Sequence, residues 1–388
     1  MKTVRDIDVV GKKVLLRCDL NLSINPGGSL GDNFRVKVSL PTIKYLIEKK
    51  AKVIIITHFG RPGGKIDPAY SLEKIAKQLE KFLELPVAFI DDCIGRRVKE
   101  KVNALVDGDI LMLENLRFYL GEETDDEVFA KELSSIADVF INDAFGVSHR
   151  AHASTVGVTK FLPSVAGLLL EKEVNTLSEL LNNYERPLSV VIGGAKISTK
   201  IGFIQSFLDK ADHVLLGGAL ANTVLHAKGI AIGKSYIEKN MTEEVNKLTL
   251  TDIKLHLPVD AIVSADKTGK TADIHNDVIG KTKENDLILD IGEDTERLFS
   301  EILINSKTII WNGPLGYIEV DAFAHGTKAI AETILSSGVN SYIGGGESIA
   351  YLEKNNLLDK FTHVSSGGGA MLELLSGMTL PGVEALNI

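Results

Sequence analysis

The sequence predicts an α/β protein of two Rossmann-like lobes, each a parallel sheet flanked by helices, with a cleft between the lobes. Three observations lead there. Short, nearly continuous apolar runs recur along the chain, each followed by a glycine-rich or polar cluster and then a segment of helical period; this is the pattern of buried parallel strands joined by crossover helices. Ten such runs occur, more than one doubly wound sheet usually holds. The length of 388 residues also favours division, since chains beyond roughly 250–300 residues split rather than enlarge one core. A closed barrel of eight strand–helix units shares the alternation, but ten runs and two contrasting kinds of strand end weigh against it.

In chain order, the first-half strands are Val14–Leu16, Val53–Ile56, Val87–Ile90, Ile110–Leu113 and Val139–Ile141. Between them, Val38–Glu48, Ser71–Leu83 and Asp125–Ile136 return an apolar residue every three or four positions, which predicts helices. The charged segment Glu171–Tyr184 follows the Gly/Pro-containing stretch Pro163–Gly167 and precedes a strand opening at Pro187. We read it as an interdomain helix over 171–184, with one lobe at 1–170 and the other at 185–379. Second-half strands are Leu188–Ile192, Val214–Leu216, Leu287–Leu289, Thr308–Trp311 and Ser341–Ile343, with helices at Ser198–Leu208 and Ala322–Leu335.

Composition narrows the function. Acidic residues outnumber basic ones 52 to 43, a net charge of −9, which argues against a nucleic-acid partner. With 44% hydrophobic and 24% charged residues the chain reads as a soluble globular protein. No apolar run approaches a membrane span, and the start MKTVRDIDVVGKK has no secretory h-region. Cys18 and Cys93 are too few for a disulfide framework. A cytoplasmic enzyme is expected, with no membrane partner.

Ligands of open parallel sheets bind beyond the carboxyl ends of the strands, and those ends differ between the halves. The first half ends its strands in charge and imidazole: Arg17–Asn21, His58–Arg61, Glu114–Arg117 and Asn142–Arg150. The second half ends them in glycine: Gly193–Lys196, Gly217–Ala219, Asn312–Gly316, Gly344–Ser348 and Ser365–Ala370. Converging arginines match phosphate or carboxylate oxygens bidentately, so the first lobe suits a small, multiply anionic substrate. Glycines before helices let backbone N–H groups approach an anion, which suits a nucleotide. One lobe for each reactant is the arrangement of a kinase that closes to exclude water. Lys196 and Lys200, four apart at the start of the helix expected at Ser198–Leu208, would project from one face. An anion between them would relieve their repulsion and their opposition to the helix dipole. No G-x-x-x-x-G-K-[ST], strand-linked G-x-G-x-x-G, H-R-D or D-F-G occurs, which excludes the common nucleotide-binding signatures.

In sequence order, RCDLN, HFGRP, LMLENLRF, FINDAFGVSHRAHAS, GGAKISTKI, WNGPLG, GGGES and SSGGGA make the chain similar to the phosphoglycerate kinase family nearly end to end. The resemblance implies reversible phosphoryl transfer from 1,3-bisphosphoglycerate to ADP, with Mg²⁺, giving 3-phosphoglycerate and ATP in glycolysis, by a monomer. It implies that Asp19, Leu20, Asn21, Arg35, His58, Phe59, Gly60, Arg61, Arg117 and Arg150 hold the glycerate substrate. Arg35 and Lys200 would act on the phosphoryl group in flight, helped by the amides of Gly367 and Gly368. Gly193, Lys196, Lys200, Asn312, Pro314, Gly344, Gly345, Gly346 and Ser348 would surround the nucleotide phosphates. Gly217 and Gly218 would leave space for adenine, Glu319 would accept from ribose, and Glu347 would bind the metal. The C-terminal segment 380–388 would return to the first lobe.

Three positions depart from the family pattern. Glu347 replaces an aspartate, keeping a hard oxygen donor but adding about 1.5 Å of reach. Asn21–Leu22–Ser23 lacks a proline after the first arginine motif, and GGALAN at Gly217–Asn222 lacks a third glycine and a methionine. The alternative reading is a nucleotide-binding relative with little or no catalytic activity.

Overall fold

The computed structural model describes residues 1–22, 31, 33–248, 253–270 and 273–387, so Ser23 and Ile388 lie outside the described residues. The chain forms two compact units, Met1–Ser178 with Gly369–Ile388, and Glu179–Gly368. The helix expected at 171–184 spans Leu168–Asn183. Residues from Gly369 onward belong to the first unit, where Gly382 N donates to Ser148 O at 2.8 Å and Asn142 Nδ2 to Gly382 O at 3.0 Å.

In the first unit, β1 (Lys13–Arg17), β2 (Lys52–Ile56), β3 (Ala88–Phe89), β4 (Ile110–Met112), β5 (Val139–Asn142) and β6 (Ser164–Ala166) form one parallel sheet in the order β3-β4-β2-β1-β5-β6. Val14, Leu15 and Leu16 are wholly buried, because helices cover both faces. The helix Glu73–Leu83 shows how: Ile75, Ala76, Leu79 and Leu83 make one buried stripe, each large side chain contributing about 1.5–3 kcal/mol. The helix expected from Val38 begins at Phe34 and accommodates Pro41 inside it, which places Arg35 in its first turn. The short β6, with only two buried positions in SVA, is too brief to register as an apolar run.

In the second unit, β7 (Leu188–Ile192), β8 (His213–Leu216), β9 (Leu255–His256), β13 (Thr308–Asn312), β14 (Asn340–Gly344) and β15 (His363–Val364) form a second parallel sheet, ordered β15-β14-β13-β7-β8-β9. Here one expectation fails. The run at Leu287–Leu289 is not a member of the parallel sheet but part of β12 (Leu287–Ile291), which joins β10 (Asp260–Ser264) and β11 (His275–Val278) in an antiparallel sheet ordered β11-β10-β12. An apolar triplet carries no information about the direction of its neighbour, and β11, reading HNDV with alternate residues exposed, has no apolar run at all.

Asp143, immediately after β5, organises the start of the helix Leu168–Asn183. Its Oδ1 accepts from Leu169 N (2.9 Å) and Leu170 N (3.2 Å), and the Thr42 side chain also favours its charge, while its buried Oδ2 makes no hydrogen bond of normal geometry among the described residues. Burial outweighs these donors and pushes the carboxyl from 3.8 up to about 7. A raised folded-state pKa means that the folded chain holds the proton more tightly than the unfolded chain. The associated stability is therefore complete below about pH 4 and lost as pH rises through 7. Asp143→Asn keeps the Oδ1 acceptor without the charge. It is expected to raise the unfolding free energy by on the order of 1–3 kcal/mol at pH 8 and to change it little at pH 4.5, as measured by urea denaturation.

Candidate active site

In each unit the chain runs first to one side of its opening strand and then to the other. The reversal falls between β1 and β5 in the first unit and between β7 and β13 in the second, the place where open α/β sheets bind ligands.

The first unit fills that place with cations. Arg17, at the end of β1, is fully buried; its Nε donates to Ser154 Oγ at 2.8 Å, its Nη1 to the Cys18 carbonyl, and its Nη2 lies 3.1 Å from His58 Nδ1. Ser154 in turn donates through Oγ at 2.6 Å to Glu122, a carboxylate with no exposed surface. Burial opposes the Glu122 charge, but His152, Arg17 and Ser154 together hold the carboxyl below its ordinary value. Burial first, then the charges of Arg17, Arg117 and Arg35, keep His58 well below its ordinary value, so the ring is neutral. A guanidinium only donates, so Nδ1 of His58 accepts and the proton sits on Nε2. His58 therefore presents a neutral donor, and its 4.0 Å approach to Asp19 is not an ion pair.

Around this anchor stand three more arginines. Arg35 has Nε 3.5 Å from Asp19 Oδ2 and donates through Nη1 to the Asn21 carbonyl. Arg117, in the 3-10 turn Leu116–Phe118 that follows β4, donates to Gly60 O at 2.7 Å and lies 3.0 Å from Glu123. Arg150 turns Nε to His149 Nε2 at 3.2 Å. Burial and Arg150 push that histidine down to about 4. Backbone positions are fixed as firmly: Leu20 N donates to Thr57 Oγ1 (3.0 Å), Phe59 N to Asn115 Oδ1 (3.1 Å) and Gly60 N to Asn21 Oδ1 (2.9 Å). Arginines that depress neighbouring bases present a field that a multiply charged anion would neutralise. Arg61 is exposed.

The second unit fills its place with backbone. Gly193 N donates to Asn312 O at 2.9 Å, Gly194 N to Pro314 O at 2.7 Å and Gly218 N to Leu315 O at 2.9 Å, tying the ends of β7, β8 and β13 together. A Cβ on Gly193 would stand 2.0 Å from Pro314 O, and Gly218 has φ +65° with backbone atoms from 2.8 Å around its would-be Cβ. Only glycine fits at either. The helices Ile201–Lys210, Gly218–Ala227 and Gly346–Lys354 all start without a side-chain cap, as anion-binding helix starts do, although in the second of them Gly218 N and Leu220 N already donate to Leu315 O and Gly194 O.

Lys196 and Lys200 do not share a helix face. The helix starts at Ile201 with Lys200 as its cap residue, and Lys196 lies exposed in the preceding loop. Ser198 explains the delay: its backbone N–H donates to Glu238 at 2.9 Å and its hydroxyl bonds the same carboxylate, competing with the helix. Lys200 instead donates to Gly193 O at 2.6 Å. Burial lowers its ammonium to about 8, against the opposing pull of Glu347. Beside the glycine turns a cavity of about 420 Å³ is lined by Gly194, Gly218, Pro314, Glu319, Asp290 and Glu347, with apolar walls from Leu225, Ile279, Leu287, Ile288, Leu289 and Ile291, a size and lining suited to a flat ring with a polar tail. Gly217 packs under Leu315 and does not line it. Gly193, Asn312, Gly344, Gly345, Gly346, Ser348, Gly367 and Gly368 stand at or just after the ends of β7, β13, β14 and β15 and do not line it. Asn312 Nδ2 reaches Gly368 O at 3.3 Å, and Gly367 N donates to Ser365 Oγ at 3.3 Å.

A family model for phosphoglycerate kinase matches residues 4–378. The chain belongs to the phosphoglycerate kinase family. It is 46% identical over 389 residues to the phosphoglycerate kinase of Pelotomaculum thermopropionicum, covering 99% of this chain and 98% of that one. It is 47% identical over 395 residues to the cytosolic phosphoglycerate kinase of Triticum aestivum, with the same coverage. Among solved structures it is similar to phosphoglycerate kinase from Pyrococcus horikoshii (TM-score 0.88, 34% identity, 100% of this chain and 98% of that one). The structure from Coxiella burnetii has a TM-score of 0.80 at 37% identity, covering 99% of this chain and 98% of that one.

Sequence reasoning missed the layer behind the phosphoglycerate kinase signature residues. Arg17, noted in the sequence only as part of a charged strand end, forms with Glu122 and Ser154 the buried support of His58, and Lys234 and Lys267 line the cavity. Arg17 and Ser154 lie inside the motifs RCDLN and FINDAFGVSHRAHAS and Glu122 four residues after LMLENLRF, so the signal was there without the pairing; the two lysines sit in unpatterned sequence. Gly193→Ala must separate two strand ends. It is expected to lower the melting temperature by several degrees and ADP affinity at least tenfold, by scanning fluorimetry and calorimetric titration. Gly202→Ala, whose Cβ meets nothing within 4 Å, should change neither.

Proposed function

We infer that the chain catalyses reversible transfer of a phosphoryl group between 1,3-bisphosphoglycerate and ADP, giving 3-phosphoglycerate and ATP. This is a glycolytic kinase reaction with a carboxyl group as acceptor. Family membership over nearly the whole chain carries the reading, and the division of the two sites into arginine forks and bare amides supports it chemically. No observation favours an inactive nucleotide-binding relative.

On this reading Arg35, His58, Arg117 and Arg150 hold the glycerate with Asp19, Asn21 and the backbone of Leu20, Phe59 and Gly60; Arg61 would have to turn inward to join them. The neutral His58 donates through Nε2–H without adding charge. The nucleotide base takes the apolar cavity, with Glu319 toward the ribose, and its phosphates take the uncapped helix starts and Lys200. Lys200 exchanges the Gly193 carbonyl for a phosphate oxygen, which restores the full ammonium charge that burial weakens. Lys196 would act as a mobile surface cation.

Glu347 fits magnesium as a single carboxylate beside the phosphate region, the usual protein share of such an ion. Magnesium supplies charge neutralisation and orientation of the nucleotide phosphates. A loose transition state spreads charge over equatorial oxygens, so positioned cations supply most of the catalysis, with no covalent intermediate required. We read the chain as a cytoplasmic monomer, in keeping with the Triticum aestivum relative being described as cytosolic.

The test is a coupled assay for ATP from 1,3-bisphosphoglycerate and MgADP. Arg35→Ala and Lys200→Ala are each expected to cut turnover more than about a hundredfold, about 3 kcal/mol or more of lost transition-state stabilisation, with unchanged circular dichroism. Near-normal turnover in either variant overturns its assignment, and no magnesium-dependent ATP formation by the folded wild-type chain overturns the reading.

A further inference from the structure

Three ligand-grade side chains meet away from the active site, on the antiparallel sheet of the second unit. His275 and Asp277 are two apart on β11 and so leave the same face of the strand. Asp286 stands one residue before β12. One ring nitrogen or carboxylate oxygen from each lies within 4.8 Å of the others.

The state of these groups distinguishes them from an ordinary acidic surface. Asp286 is only 7% exposed, and its Oδ2 is buried without a hydrogen-bond partner among the described residues; Asp277 Oδ2 is in the same condition. Buried carboxylate oxygens without donors are costly unless a cation or a proton joins them. Among the described residues, the one ion-pair contact of either carboxylate is His275 Nε2, 3.5 Å from Asp277 Oδ2. Nδ1 of the same ring lies 2.6 Å from the Asp273 carbonyl oxygen. A carbonyl only accepts, so Nδ1 carries a proton, and in the neutral ring the Nε2 lone pair faces the Asp277 carboxylate. Two lone pairs then confront each other beside a second unpaired carboxylate. An imidazole held by Nδ1–H to a backbone carbonyl, with Nε2 free, is also the usual second-shell arrangement of a metal-bound histidine.

We propose that His275, Asp277 and Asp286 bind a structural divalent transition ion, with Zn²⁺ as the probe of choice. One imidazole nitrogen and two carboxylate oxygens suit such an ion better than Mg²⁺ or Ca²⁺, which favour all-oxygen sets; water completes the coordination. The ion pins the edge strand β11 to the turn that enters β12. Because Leu287–Ile291 wall the nucleotide cavity, occupancy stiffens that wall without any contact to the nucleotide itself.

The experiment titrates the EDTA-treated, full-length chain with ZnCl₂ by calorimetry, without nucleotide, and follows the melting temperature in parallel. The expected result is one saturable site of micromolar affinity and a rise in melting temperature of a few degrees. Asp286→Asn, which replaces an unpaired charge by a neutral isostere and so should fold, and His275→Gln should each weaken binding at least tenfold. Glu347→Gln should leave it unchanged. Absence of saturable binding, full-strength binding by Asp286→Asn, or equal loss in Glu347→Gln would each overturn the proposal.

Discussion

The fold depends on a single topological constraint used twice. A parallel sheet whose first strand lies inside it must send later strands to both sides, so the loops after the two strands at the reversal diverge and leave a gap. In the first unit this gap lies beyond β1 and β5, and in the second beyond β7 and β13. The strands are buried on both faces, so only their ends can carry chemistry. The different uses of the two gaps follow from what the chain places after its strands.

The first unit shows how cations can be concentrated without collapse of the fold. Arg17 is neutralised from behind by Glu122 through Ser154, which lets it hold His58 in a single neutral tautomer. Arg35 and Arg117 lie against the carboxylates of Asp19 and Glu123, contacts that position each guanidinium. The second unit reaches an anion-ready surface by the opposite route. Backbone closes on backbone at Gly193 and Gly218 so tightly that no side chain can enter, and the helices at Ile201 and Gly346 start without a side-chain cap. Lys200, resting on the Gly193 carbonyl, is the cation this surface keeps in reserve.

Much of this was legible in the sequence, because the signal for a buried parallel strand followed by a functional turn is local. The central strands β1, β2, β4, β5, β7, β8, β13 and β14 each carry an apolar run, and the contrast between charged and glycine strand ends is visible without coordinates. What escaped depends on pairing or competition at a distance. The direction of β12 is set by β10, the start of the helix at Ile201 by Glu238 holding Ser198, and the support of His58 by residues far along the chain. β11 escaped because it is polar and exposed on alternate residues. Its histidine and aspartate gain meaning only beside Asp286, which the sequence places nine positions beyond Asp277 with nothing to suggest that they meet.

The central claim is that two ligand chemistries are handled by two separate sets of strand ends. Hydrogen exchange on the full-length chain, with 3-phosphoglycerate alone and with MgADP alone, tests it most directly. The account predicts that the acid slows exchange around residues 18–21, 58–60 and 149–150, and that the nucleotide slows it around 193–195, 217–220 and 313–319. If either ligand by itself protected the other set and left its own unchanged, the account would be contradicted.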